Sequence, residues 1–193
     1  MQQEKPLLVL HSCCGPCSTT AIARLKEQYQ VVAFFYNPNI HPKNEYKRRL
    51  EEAKKVYDFY KIPCIVGIYE PKEWFFLTKG LEQEPEGQER CKQCYWLRLK
   101  ATIVFAKEKH IKYCTTSLTL SPHHKTATIN QIGKEVAMPA QEIFLEQNFK
   151  KQDGFLFSVQ QSKVLGLYRQ EYCGCMPSFL KWQQKKANTK QEE

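Results

Sequence analysis

The chain has 193 residues, of which 42% are hydrophobic and 25% charged, so a disordered protein is excluded and one folded domain is expected. Lysine and arginine outnumber aspartate and glutamate by 29 to 20, which gives a net charge of +9 with neutral histidines. This excess is typical of proteins with a polyanionic partner such as nucleic acid, and an ordinary basic surface would explain the charge equally well. The apolar run at residues 7–10 is too short for a signal peptide or a membrane span, so we expect a cytoplasmic protein without a membrane partner.

Short apolar runs alternate with helix-length segments along the chain. The alternation predicts an α/β fold with a mainly parallel sheet and right-handed crossovers. The predicted strands are residues 7–12, 31–38, 63–70 and 112–118, and the predicted helices are 18–28 (capped by Ser18 or Thr19), 44–60, 71–81, 91–109, a segment after residue 124, and 158–170.

The last residues of the chain differ in composition from the rest. Residues 181–193 are polar and charged, which is typical of a chain end that frays. We therefore expect a single α/β catalytic domain over residues 1–180, followed by a flexible C-terminal tail.

The nine cysteines are unevenly distributed. Cys64 and Cys114 lie in apolar strand segments and are expected to be small buried residues. The others are clustered, and clustered cysteines in a chain without an export signal are typical of metal or redox sites. The three clusters are Cys13, Cys14 and Cys17 in "HSCCGPC", Cys91 and Cys94 in "CKQC", and Cys173 and Cys175 in "CGC".

The first two clusters are predicted to meet. Cys13 and Cys14 follow the first strand at its carboxyl end, where ligands bind in open α/β sheets. Cys91 and Cys94 share one face at the start of a helix, where thiolates are stabilised. Four thiolates suit either zinc or an iron–sulfur cluster, and their place at the sheet edge favours the cluster.

The third cluster has a different spacing. Cys173 and Cys175 are separated by one glycine, and such a pair can close a small, strained and therefore redox-active disulfide. Alternatively, the pair could join Cys17 around a second metal. The sequence leaves both interpretations open.

Four stretches resemble, in order, the signature stretches of the epoxyqueuosine reductases of the QueH type. They are "LHSCCGPCS", "RCKQCYWLRLKATIVFA", "CTTSLTLSPHHKTATI" and "LYRQEYCGCMPS", and the resemblance runs over residues 7–179. It implies a Rossmann-like sheet of the adenine-nucleotide alpha-hydrolase type. It also implies the last step of queuosine biosynthesis, in which two electrons and two protons remove the epoxide oxygen of epoxyqueuosine at the tRNA wobble position as water.

The resemblance further implies roles for the clustered cysteines and names the partners. The implied substrate is tRNA carrying epoxyqueuosine. No flavin or nicotinamide fingerprint is visible in the sequence, so the electrons are expected to come from an unidentified donor. The implied groups are a [4Fe–4S] cluster held by Cys13, Cys14, Cys91 and Cys94, a redox-active pair formed by Cys173 and Cys175, and an additional mononuclear iron with Cys17 as a ligand.

Several residues are candidates for contact with the RNA. Tyr168, Arg169 and Tyr172 precede the third cluster and could stack on or pair with an unstacked anticodon base. Thr115 and Thr116 end a predicted strand beside the crevice, where their hydroxyls could hold a phosphate or ribose.

Two further basic stretches have a structural and a functional interpretation. His123 and His124 fit a polar loop better than a proton donor. Lys47, Arg48 and Arg49 fit a solvated helix face, with a collective contribution to phosphate binding.

Two other functions compete with the reductase. An ATP-dependent tRNA sulfur-transfer or activation enzyme would use a similar fold, but "HSCCGPCS" lacks a glycine- and serine-rich phosphate cradle. A zinc-stabilised RNA-binding module would explain the same charge and cysteines without catalysis. Metal content and nucleotide binding distinguish the three interpretations.

Overall fold

A computed structural model of the chain describes residues 4–189. Within these residues, five parallel strands form one sheet in the order β3-β2-β1-β4-β5. The strands are β1 (Leu7–His11), β2 (Gln30–Phe35), β3 (Cys64–Val66), β4 (Tyr113–Thr116) and β5 (Ile143–Phe144). The helices are α1 (Gly15–Leu25), α2 (Lys43–Tyr60), α3 (Pro71–Leu77), α4 (Glu89–Glu108), α5 (Thr126–Ala140), α6 (Gly154–Val164) and α7 (Met176–Thr189), with a 3₁₀ turn at Ser117–Leu120.

The predicted α/β fold with a parallel sheet is confirmed. Strand β1 is central, with β2 on one side and β4 on the other, so the strand order reverses between β1 and β4. Such a reversal opens a crevice at the carboxyl ends of the strands. The crevice begins directly after His11, at the first cysteine cluster.

Both faces of the sheet are covered by helices. Along β1, Leu8 and Leu10 belong to a buried cluster with α1 and α2, whereas Val9 belongs to a second cluster with α4 and α5. This division follows from the alternation of side chains along a strand. Cys13 packs against both clusters, so it lies where the two halves of the core meet.

Helix α1 begins earlier than predicted, and a thiol caps it. The helix starts at Gly15 with Cys14 as N-cap, whose Sγ accepts a hydrogen bond from the Cys17 backbone N–H at 3.3 Å. Ser18, one of the predicted caps, instead donates its hydroxyl to the Cys14 carbonyl at 2.7 Å. Pro16 is tolerated in the first turn because that turn needs no backbone donor there. Cys14 and Cys17 are therefore fixed by helix geometry.

The C-terminal part also departs from the prediction. Helix α6 ends at Val164, short of the predicted Gln170, and Gly166 takes a φ of 59° that turns the chain away. Residues 165–175 then return as a loop over the crevice.

The predicted frayed tail is helical as far as the structure describes it. Helix α7 continues to Thr189, and residues 190–193 lie outside the described residues. Trp182 explains the difference, because its ring packs 5.4 Å from that of Tyr172 and its Nε1 donates to Glu171 at 2.9 Å. These contacts join α7 to the loop that precedes it, and they have no signature in the composition of the tail.

The burial of His41 can be tested through the pH dependence of the protein's stability. Its ring is buried beside Trp74 and Phe75, and Nε2 has no hydrogen-bond partner among the described residues. Burial lowers the pKa of His41 to about 4 from an ordinary 6.5. The unfolded chain therefore binds a proton that the folded chain does not, and stability falls as the pH drops from about 6.5 towards 4.

We expect the variant His41→Phe to lose less stability on acidification than the wild type. The free energy of unfolding in urea would be measured at pH 7 and pH 5. The wild-type decrease should exceed the variant's by up to about 1.4 kcal/mol per pH unit. Burial also lowers the pKa of His11 and His124, but both remain in the variant and cancel in the comparison. An identical decrease in the two proteins would contradict the burial of His41.

Candidate metal and redox site

The first cysteine cluster occupies the turn between β1 and α1. The sulfurs of Cys13, Cys14 and Cys17 lie within 4.8 Å of one another. Cys14 and Cys17 are buried, whereas Cys13 is half-buried. The cluster therefore forms the floor of the crevice, as predicted from its place after the first strand.

Hydrogen bonds favour one thiolate in this cluster. Burial opposes ionisation of Cys14, but hydrogen bonds with Cys13, Cys17 and the Gln170 side chain hold its pKa well below the usual range. The Gln170 Nε2 donates to Cys14 Sγ at 3.2 Å. Hydrogen bonds with Cys13 and Cys14 raise the pKa of Cys17 well above the usual range. Cys14 is thus prepared as the thiolate, which is the form that binds metal.

The second cluster lies at the start of α4. Cys91 and Cys94 are both buried, as their spacing on one helix face predicts. Cys91 Sγ accepts the Gly87 backbone N–H at 3.1 Å, and Cys94 Sγ lies 3.8 Å from Arg98 Nη1. Burial raises the pKa of Cys91 to about 11 and also raises that of Cys94. Without a bound cation, these two sulfurs remain protonated thiols.

Arg98 is a buried cation between the clusters, and the sequence analysis missed it. Its Nη2 donates to Asn37 Oδ1 at 2.6 Å, and Asn37 donates to the Ser12 carbonyl at 2.9 Å. Burial disfavours its charge, but the nearby sulfurs of Cys94, Cys13 and Cys173 raise the pKa of Arg98. Arg98 lies four residues after Cys94 on the same face of the predicted helix, and this spacing could have identified it as a neighbour of the thiol.

The third cluster packs against the second. The thiols of Cys173 and Cys175 are both free, and the neighbouring Cys173 thiol, together with burial, raises the pKa of Cys175. Cys175 belongs to the buried cluster that contains Cys91 and Cys94, and Cys13 packs against that same cluster. The structure therefore brings all three sequence clusters to one region of the molecule.

Arg49 fixes the loop that carries the third cluster. It is buried rather than solvated, which corrects the prediction for this residue. Its guanidinium donates to the carbonyls of Cys173 at 2.9 Å and Tyr172 at 3.0 Å, while its Nε contacts Glu45 at 2.7 Å. These carbonyls lie in a loop, where no neighbouring helix or strand supplies a backbone donor. The Arg49 guanidinium supplies the hydrogen bonds instead.

A cavity of about 320 Å³ opens above Cys13, Cys17 and Cys173. Its lining combines thiols, cations and aromatic rings at the crevice that the strand order predicts. The polar lining includes Cys13, Cys17, Cys173, Arg98, His123, His124, Arg169 and Tyr172. His124, which the sequence favoured as an ordinary loop residue, has its Nε2 3.9 Å from Cys173 Sγ.

The residues predicted to contact RNA divide into two groups. Arg169 and Tyr172 line the cavity, where Arg169 is oriented by the hydroxyl of Ser162 at 2.9 Å. Tyr168 does not line the cavity. Its ring packs 3.3 Å from the Arg48 guanidinium and its hydroxyl donates to Glu45, so its side chain is already engaged. Arg169 and Tyr172 are therefore better placed than Tyr168 to meet a ligand.

Thr115 and Thr116 do not line this cavity. Thr115 donates its hydroxyl to the Leu145 carbonyl at 2.7 Å, and the hydroxyl of Thr116 is 2.8 Å from His11 Nδ1. Both threonines are buried. Their hydroxyls connect strands to their neighbours, so the expected contact with a phosphate or ribose finds no support in this arrangement.

The fold and the site define a class, an α/β protein with a thiol-rich centre at the carboxyl edge of a parallel sheet. A family model described as "Epoxyqueuosine reductase QueH" matches residues 8–181. The chain belongs to this family, whose members are oxidoreductases.

Curated relatives with that same description support the assignment. The protein of Streptococcus pyogenes serotype M1 is 35% identical, with 91% of this chain and 71% of the relative covered. The protein of Acinetobacter baylyi is 37% identical, with 89% of this chain and 80% of the relative covered. The protein of Thermotoga maritima is 33% identical, with 93% and 94% covered.

A solved structure shows the same fold. It is the U34-tRNA thiolase NcsA from Methanococcus maripaludis with its [4Fe-4S] cluster, at a TM-score of 0.58 and 15% sequence identity. The match covers 91% of this chain and 62% of that chain, which is less than two thirds of its length. The likeness confirms the predicted Rossmann-like architecture.

We expect Arg49→Gln to release the third cluster. Loss of two charged hydrogen bonds to the loop should raise the alkylation rate of Cys173 about tenfold, which corresponds to ~1.4 kcal/mol. Arg48→Gln is the matched control, because Arg48 packs on Tyr168 instead. Peptide mapping by mass spectrometry would follow the alkylation over time. Equal Cys173 rates in the wild type and both variants would contradict the role of Arg49.

Proposed function

We propose that this chain reduces epoxyqueuosine in tRNA to queuosine. The reaction takes two electrons and two protons, and it converts the epoxide to an alkene and water. The observation that carries the proposal is that the three cysteine clusters lie in one region, next to a cavity lined by Cys13, Cys17 and Cys173, in a member of the QueH family. Family membership also favours the reductase over the sulfur-transfer enzyme and the zinc-stabilised module.

The cofactor in this proposal is a [4Fe–4S] cluster held by Cys13, Cys14, Cys91 and Cys94. The donor set fits such a cluster, because each of the four sulfurs is hydrogen-bonded, to Ser117, Gln170, Gly87 and Arg98 respectively. Hydrogen bonds and a buried cation stabilise the negative charge of ligating thiolates. When bound, the cluster would supply electrons one at a time.

An additional mononuclear iron near Cys17 belongs to the same proposal. The Cys17 sulfur lies within 4.8 Å of those of Cys13 and Cys14, and Cys17 lines the cavity. Its raised pKa indicates that a cation would be needed to make it a thiolate. Iron and zinc both accept thiolate ligands, so the ligand type alone does not choose between them.

Cys173 and Cys175 are proposed as the redox-active pair. Closing a disulfide between them releases two electrons and two protons, which is the amount that the epoxide consumes. The Cys173 thiol is close enough to raise the pKa of Cys175, and Cys173 lines the cavity. An external donor must then return two electrons and two protons to reopen the disulfide.

The cavity residues would orient the substrate and stabilise the leaving oxygen. Arg98 presents a permanent positive charge to the cavity, so it would stabilise negative charge that develops on the oxygen when the C–O bond breaks. Tyr172 and Arg169 offer an aromatic face and a guanidinium to a base that has left the anticodon stack.

The partner in this proposal is tRNA. The net charge of +9 favours binding to the phosphate backbone, with an affinity that falls as salt is added. No helix within residues 4–189 combines the length and the apolar character that crossing a membrane requires. The many free thiols suit a reducing compartment, so we infer a cytoplasmic location.

The test uses protein purified without oxygen and supplied with iron, sulfide and a chemical reductant. Epoxyqueuosine-containing tRNA would be digested after reaction, and the nucleosides identified by mass spectrometry. We expect queuosine to form, and we expect Cys91→Ser to lower the rate by about a hundredfold because one ligand is lost.

Cys64→Ser is the matched control, since Cys64 lies on β3 outside the three clusters. Its rate should equal that of the wild type. The reductase would be refuted if the wild-type protein formed no queuosine while holding its metal. A thiolated nucleoside that appears only with ATP would point instead to the sulfur-transfer enzyme.

A further inference from the structure

Three ligand types converge at one side of the cavity. Glu86, His124 and Cys173 lie on loops before α4, α5 and α7, and their ligand atoms are within 4.8 Å of one another. We propose that these three residues form a further metal site, distinct from the cluster and from the iron near Cys17, which binds one divalent cation of the zinc or ferrous type. The site is separate from the group formed by Cys13, Cys14 and Cys17. It takes Cys173 in its reduced state, so a bound metal would keep that thiol out of the disulfide proposed with Cys175.

The histidine is held in the orientation that a metal ligand needs. His124 Nδ1 donates to the Leu118 carbonyl at 3.4 Å, which leaves the lone pair of Nε2 free on the side of Cys173. The Tyr95 ring packs edge-on at 5.5 Å and Lys150 binds the His124 carbonyl at 2.8 Å, so both ring and loop are fixed. A carbonyl that orients the second ring nitrogen is typical of metal-bound histidine.

The carboxylate is delivered by a loop that is anchored nearby. Glu86 precedes Gly87, which has a φ of 86° and donates its N–H to Cys91 Sγ at 3.1 Å. A positive φ is easily adopted only by glycine, so this turn is specified by the sequence. The Glu86 side chain is exposed and lines the cavity together with His124 and Cys173.

The ligand set leaves room for a further donor. One oxygen, one nitrogen and one sulfur ligand suit zinc and the later divalent metals of the first transition row. Three protein ligands leave a position open, and here that position faces a cavity of about 320 Å³. Such open sites are typical of metals that bind water or a substrate oxygen. Cys175 lies among Cys91 and Cys94 instead, so only one cysteine of the pair contributes.

The experiment counts bound metal in the full chain under reducing conditions without oxygen. Zn²⁺ per chain is measured after equilibrium dialysis, and Co²⁺ titrations follow the thiolate-to-cobalt absorption. The wild type should bind one equivalent more than His124→Gln. Glu86→Gln should weaken the affinity for that equivalent by about 10- to 100-fold. Sites at the other cysteines remain in every protein and cancel in the comparison.

His123→Gln is the matched control, because it changes the neighbouring histidine of the same loop and leaves the triad intact. It should bind metal like the wild type. Glu86 is exposed, so Glu86→Gln is expected to fold normally even where His124→Gln does not. Equal Co²⁺ affinity in the wild type and Glu86→Gln would overturn the proposal. Because the readout is metal binding, a failure of queuosine formation would leave this result unaffected.

Discussion

One buried histidine joins the three strands on which the site depends. His11 Nε2 donates to the Tyr36 carbonyl after β2, and its Nδ1 accepts the hydroxyl of Thr116 at the end of β4. Burial lowers the pKa of His11 to about 3, so the ring stays neutral and keeps both hydrogen bonds. The carboxyl ends of the central strands are thereby held at the point where the strand order reverses. Cys13 and Cys14 leave β1 at this point, within reach of helices from both faces of the sheet.

Charge balance explains why two arginines are buried around the cysteines. A buried guanidinium is costly unless its hydrogen bonds and its charge are matched. Arg49 is matched by Glu45 and two loop carbonyls, which hold residues 172–173 in place. Arg98 has only the Asn37 amide and sulfur atoms around it, and its Nε has no partner among the described residues. Its burial becomes favourable when those sulfurs are thiolates, which is the state that a bound metal imposes.

The sequence was sufficient for the fold class and for the burial of Cys91 and Cys94 on one helix face. Alternating strands and helices predicted the parallel sheet, and the spacing of Cys91 and Cys94 predicted their shared inward face. Residues whose role depends on distant contacts were not predictable. In the sequence, Arg49 resembles a solvated helix residue, and only the loop that begins at residue 165 and packs over α2 buries it. Trp182 is a second case, because its contact with Tyr172 stabilises α7. A cysteine N-cap was also missed, because sequence rules assign caps to hydroxyl and carboxamide side chains.

The central claim is that cysteines from the two sides of the sheet act as one ligand set. It would be tested most directly by a crystal structure of the anaerobically reconstituted protein, with anomalous diffraction recorded at the iron absorption edge. We predict one four-iron cluster in contact with both Cys13–Cys14 and Cys91–Cys94. A zinc ion bound at Cys13–Cys14 or at Cys91–Cys94 would contradict the claim. So would iron bound only by Cys13, Cys14 and Cys17 while Cys91 and Cys94 remain free thiols.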